Sequence, residues 1–223
     1  MRPIPFNKLI HWIFEEYKQH KSIFGIPEEK FFRKKNKNNI KIFGENCEIP
    51  IGPAAGPHTQ LSQNIIASYI TGARFFELKT IQKLDELHIE KPCIDAQDEG
   101  YNTEWSTELT VSQAYNEYVK AWFILHLLQK SFHLSLFDER AFIFNMSVGY
   151  DLEGIRTSKV DNFIEGLKNA SNNVFFNECK DILKDQIKDQ KLTEIDEIFI
   201  DSISPNISNS ITLSTMHGCP PEE

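Results

Sequence analysis

The chain has 223 residues, 40% of them hydrophobic and 25% charged, which suffices for one domain with a real core. Its 24 Lys and Arg against 32 Asp and Glu leave a net charge of −8, which argues against nucleic acid or an anionic membrane as the main partner. No apolar run reaches the roughly 18 residues of a membrane span. No apolar signal core follows Met1-Arg2-Pro3, and Cys47, Cys93, Cys179 and Cys219 form no CxxC pair, so the expected setting is a reducing cytoplasm with neither a zinc site nor a disulfide framework.

In chain order, Phe6, Leu9, Ile10, Ile13, Phe14 and Tyr17 recur at helical steps and form one apolar face. Ile26-Pro27-Glu28-Glu29-Lys30 reads as a second helix start, with Pro in its first turn. The cluster Arg33-Lys34-Lys35-Asn36-Lys37 reads as a solvated loop. Residues 1–46 form an N-terminal helical extension, and residues 47–223 form the body.

The body alternates. Short strands fall near 49–52, 73–79, 142–148 and 211–216. Helical spacing lies between them, at 60–72, about 106–130 and about 160–191. Strand and helix in alternation predict an α/β fold with a parallel sheet and right-handed crossovers. GxGxxG and P-loop signatures are both absent, so a doubly wound nucleotide-binding sheet lacks its usual support. Ala54, Ala55 and Gly56 fit either a tight turn or a backbone that a flat ring approaches closely. Asn145, between Phe144 and Met146, needs a hydrogen bond from the protein or from a ligand. Cys219, between Gly218 and Pro220 at a helix start, is either a plain helix-start residue or a thiol of lowered pKa.

Four segments in this order resemble the flavin-binding barrel of dihydroorotate dehydrogenases and of the pyrimidine-reducing domain of dihydropyrimidine dehydrogenase. They are Ile51-Gly52-Pro53-Ala54-Ala55-Gly56-Pro57, Phe76-Glu77-Leu78-Lys79-Thr80, Phe144-Asn145-Met146-Ser147 and Leu213-Ser214-Thr215-Met216-His217-Gly218-Cys219-Pro220. The chain also resembles, almost throughout, the subgroup of that family named for a selenate reductase subunit. Arg2-Pro3-Ile4-Pro5-Phe6, Lys91-Pro92-Cys93-Ile94-Asp95 and Asn102-Thr103-Glu104-Trp105-Ser106 carry this second likeness.

The resemblance implies the first half of an FMN-binding (β/α)₈ TIM barrel. It implies a flavin-dependent oxidoreductase component that passes electrons through FMN to a small oxidised substrate. Ala54, Ala55, Gly56, Lys79, Asn102 and Asn145 would contact the flavin. Lysine in the position of Lys79 would favour the anionic reduced ring. Cys219, Ser214 and His217 are the candidates for proton transfer, with Thr215 as a further alternative and His58 a weaker one. No metal ligand is expected here, and iron–sulfur clusters belong to the downstream part of longer members. A complete barrel needs eight strands and about 250 residues, so the expected partner is the other half of the barrel or a redox subunit. A non-catalytic scaffold or an inactive fragment is the other reading.

Overall fold

The computed structural model describes residues 2–83, 109–149, 151–188 and 195–214. Helix α1 (Phe6–His20) buries Phe6, Leu9, Ile10 and Ile13 on one face, as the spacing predicts. It stops at Lys21, whose left-handed φ of 54° turns the chain while its N–H bonds Tyr17 O.

Two antiparallel hairpins follow within the stretch expected to be a helical extension. Strand β1 (Ser22–Ile23) pairs with β2 (Ile26–Pro27), and β3 (Ile40–Ile42) pairs with β4 (Glu45–Cys47). Both turn through Phe-Gly pairs with positive φ at each residue, 53° and 72° at Phe24-Gly25 and 52° and 82° at Phe43-Gly44. Two left-handed residues in succession match the twist of the flanking strands. Glu16 secures the first turn by accepting from Gly25 N at 2.7 Å, Ser22 Oγ at 2.8 Å and Phe24 N at 3.0 Å. The helix expected after Pro27 is a single 3₁₀ turn, Glu28–Lys30.

The body is built on a parallel sheet. Strands β5 (Phe75–Glu77), β6 (Ile143–Gly149) and β7 (Ser210–Ser214) lie side by side in that order. The stretch Ile51-Gly52-Pro53 runs along the free edge of β5. Phe75 N donates to Ile51 O at 3.2 Å and Glu77 N to Pro53 O at 3.2 Å. Donor and acceptor both advance by two residues, so this stretch is parallel as well. A side chain at Gly52 would collide with the Phe75 carbonyl, which explains why glycine stands there. Spatial order thus equals chain order. A barrel wound in one direction requires that, whereas a doubly wound sheet reverses at a switch point.

Helices α2 (Ser62–Ile70) and α3 (Val111–Ser131) lie between the first strands. Among the described residues, four helices separate β6 from β7: α4 (Leu152–Ile155), α5 (Ser158–Lys168), α6 (Val174–Lys188) and α7 (Glu197–Ser202). The helices expected over about 160–191 are α5 and α6. Asn173 divides them, because its Oδ1 accepts from Phe176 N at 3.0 Å and caps α6.

One continuous core joins the sheet to the helices and to α1. Trp122 of α3 meets Phe142 at 5.4 Å and Phe144 at 5.5 Å, edge to face, and Phe76 meets Phe144 at 5.5 Å. Phe6 of α1 meets Phe123 of α3 at 6.1 Å. Among the described residues, no helix is long and apolar enough to cross a membrane.

Candidate functional site

Side chains alternate along β6. Phe144, Met146 and Val148 share one face, and Phe144 packs on Trp122 of the helical layer. Ile143, Asn145, Ser147 and Gly149 share the other face. The register opposes Glu77 to Asn145 and Ser147 to Thr212, so their side chains emerge on the same side.

That face is polar along much of β6. Thr80 Oγ1 and Ser147 Oγ lie 3.0 Å apart. Asn145 Nδ2 donates to Thr212 Oγ1 at 2.7 Å. Ala55 N donates to Glu77 Oε2 at 3.2 Å, which ties the small-residue loop to β5. A parallel sheet buried on both faces usually reads as a run of aliphatics. A ladder of hydroxyls, an amide and a carboxylate departs from that pattern, and such departures collect at functional sites.

The structure places the sequence candidates as follows. Ala54 is exposed, Ala55 half-buried and Gly56 buried. Gly56 leads into the 3₁₀ turn Pro57–Thr59, where Thr59 Oγ1 accepts from Gly56 N at 3.1 Å. His58 is exposed, with its ring beside Gly56. Lys79 is buried, 2% exposed, and its Nζ donates to Thr80 O at 3.4 Å. Tyr118 Oη fixes the backbone there by donating to Lys79 O at 3.2 Å. Ser214 ends β7, opposite Gly149 and half-buried. In the register Asn145 lies level with Glu77 and Ser210, whereas Ser214 lies level with Gly149 at the C-terminal end of β6, four residues further along the sheet; Lys79 follows Glu77 by two residues. Asn102, Thr215, His217 and Cys219 lie outside the described residues.

Asn145 is 4% exposed, and its Oδ1 has no hydrogen-bond partner. Leaving a buried acceptor unpaired costs about 1–3 kcal/mol. Gln60, in the loop before α2, is fully buried with neither amide atom paired. Sequence reading missed Gln60, Glu77, Thr80, Ser147 and Thr212. For Glu77 the signal was present, since a carboxylate inside Phe75-Phe76-Glu77-Leu78 must meet a donor.

Two cysteines are described, Cys47 and Cys179, and both are buried free thiols. Burial raises the pKa of each, and so keeps them unreactive. Among the described residues, no group of His, Cys, Asp and Glu could hold a metal ion.

Parallel strands in chain order with helices packed on one face define a domain of the (β/α) barrel class, and its other face is polar along β6. The family model described as "Oxidoreductase YgfK, N-terminal TIM-barrel domain" matches residues 24–223, and the chain belongs to that family. It is 50% identical over 232 aligned positions to the protein named "Putative oxidoreductase YgfK" of Escherichia coli K12, covering 100% of this chain and 22% of that relative. The same figures hold for the counterpart in Escherichia coli O157:H7. The chain thus spans about a fifth of the length of the curated relatives it matches. No solved structure matches it.

Proposed function

We propose that this domain holds the ring of a flavin, FMN, at the C-terminal ends of its strands, and that it serves an oxidoreductase passing electrons to a small oxidised substrate. One observation carries the reading: Asn145 Oδ1, a buried acceptor without a partner, on the polar face beside Glu77 in a family of oxidoreductase barrels. The residues fit such a group. An orphaned acceptor answers a ring N–H, and a buried lysine answers developing negative charge. Flavin, when bound, supplies the redox chemistry.

The chain's own residues bind and orient. Ala54, Ala55 and Gly56 give a backbone that a flat ring can approach, and Glu77 pins that loop through Ala55 N. Lys79 places a cation at the strand ends, and Asn145 offers its carbonyl oxygen. From the sequence resemblance, Asn102 joins the ring contacts, and Cys219, Ser214 or His217 moves the proton. The grip on the flavin phosphate, and any iron–sulfur clusters, belong to residues other than those described. The substrate implied by the family resemblance is an oxyanion such as selenate or a planar pyrimidine-like ring. A cytoplasmic setting belongs to the same reading.

Two variants of the native polypeptide test it. Lys79→Ala is expected to weaken FMN binding or lower the flavin reduction potential, because the cation that favours the reduced ring is gone. Unchanged affinity and potential would end that assignment. Cys219→Ala is expected to leave FMN binding intact and slow turnover by about 100-fold, the usual scale for losing a proton-transfer group. Unaltered turnover returns Cys219 to a helix-start residue. A colourless native polypeptide would favour a non-catalytic scaffold.

A further inference from the structure

Asn145 Oδ1 accepts no hydrogen bond from the described residues. Glu77, opposite Asn145 in the register, is a carboxylate that already accepts from Ala55 N. The hydroxyls of Thr80 and Ser147 are bonded to each other at 3.0 Å. Among the described residues, Thr212 alone hydrogen-bonds the amide side chain, and it does so at the nitrogen end, 2.7 Å from Nδ2. A carboxamide is planar, so holding Nδ2 against Thr212 also fixes where Oδ1 points. Thr212 reaches Asn145 from the neighbouring strand, where its own backbone is locked by pairing with Ser147.

We propose that Thr212 is a positioning residue: by accepting from Asn145 Nδ2 it sets the amide so that Oδ1 stands ready to accept from a ring N–H of the flavin. This rests on the flavin reading above. With Thr212 in place, the site selects a ligand that brings a hydrogen-bond donor to that point. Without it, the amide turns freely and loses that preference.

The test uses the native polypeptide, stripped of flavin and titrated with FMN by fluorescence quenching. Thr212→Val keeps the shape and removes the acceptor; Thr212→Ser keeps the acceptor and serves as the rescue. Thr212→Val is expected to weaken FMN binding about ten-fold and to shift the visible absorption maximum of the bound flavin, whereas Thr212→Ser binds as the wild type does. The double variant Thr212→Val/Asn145→Ala is expected to bind no worse than Asn145→Ala alone, because Thr212 acts only through Asn145. Wild-type affinity and spectrum in Thr212→Val, or losses that multiply in the double variant, would overturn the inference and leave the flavin reading standing. Absence of flavin binding in the wild-type polypeptide would overturn both.

Discussion

His126 shows at a single side chain how burial sets chemistry. Its ring meets Trp122 at 4.8 Å and Phe142 at 5.2 Å, and its Nε2 is closed to solvent and unpaired. Burial lowers its pKa from 6.5 to about 3, so the folded protein keeps it neutral. The unfolded chain takes up the proton near the ordinary value. Between those two values the unfolded state holds one more proton, and stability falls as pH falls, by about 1.4 kcal/mol per pH unit. His126→Phe is expected to remove that acid-side slope between pH 6.5 and about 4, as measured by urea midpoints; an unchanged slope would assign it to other groups. Asn145 poses the opposite case. It was legible as a residue needing a bond because an amide stood between Phe144 and Met146. Its partner Thr212 was not, since a threonine in a strand is ordinary and the pairing joins residues 67 apart.

Among the elements, those with a strong period were plain in the sequence, and those held by long-range contacts were not. The apolar spacing of α1 and the alternation of strand and helix were readable because burial of one face dictates them. The two hairpins escaped because their turns use Phe-Gly, whereas Asn-Gly or Asp-Gly is the usual signal. Glu16 compensates by capping the first turn from the helix, a contact that no local pattern announces. Its pKa feels burial as the largest influence, upward, yet the bonds from Gly25, Ser22 and Phe24 outweigh it and hold it below the usual value. Arg74 ties several elements together. It bonds Glu48 at 3.0 Å, Tyr69 O and Ala73 O at 2.8 Å, and Leu134 O at 2.8 Å, with both charges of the pair buried. Arg74→Met leaves Glu48 buried without its cation and is expected to cost about 3–5 kcal/mol in urea unfolding. Arg74→Met with Glu48→Gln should recover part of that loss; a single variant as stable as the wild type would contradict the account. At the start of α3, Thr110 and Gln113 form a reciprocal cap, so Thr110→Ala is expected to cost about 1 kcal/mol.

At the scale of the whole molecule, chain order and spatial order coincide across the described sheet, and the polar residues collect on one face of it. The alternation of strand and helix made a parallel α/β sheet readable in advance, and the resemblance of four segments to a flavin-binding barrel family implied the barrel. What could not be read was which of those residues meet, since that depends on the register of β5, β6 and β7. The outer face of β7 carries Ile211 and Leu213 at 40% and 58% exposure, the apolar face of a strand at the end of the described sheet. The relatives continue far beyond the aligned region, so the flavin proposal has to be judged on the polypeptide as the cell makes it. The most direct measurement is the visible absorption spectrum of that polypeptide, purified without added cofactor, beside its Asn145→Ala variant. The account predicts flavin absorbance in the wild type and a clear loss of bound flavin in the variant. A colourless wild type, or a variant that retains its full flavin, would contradict it.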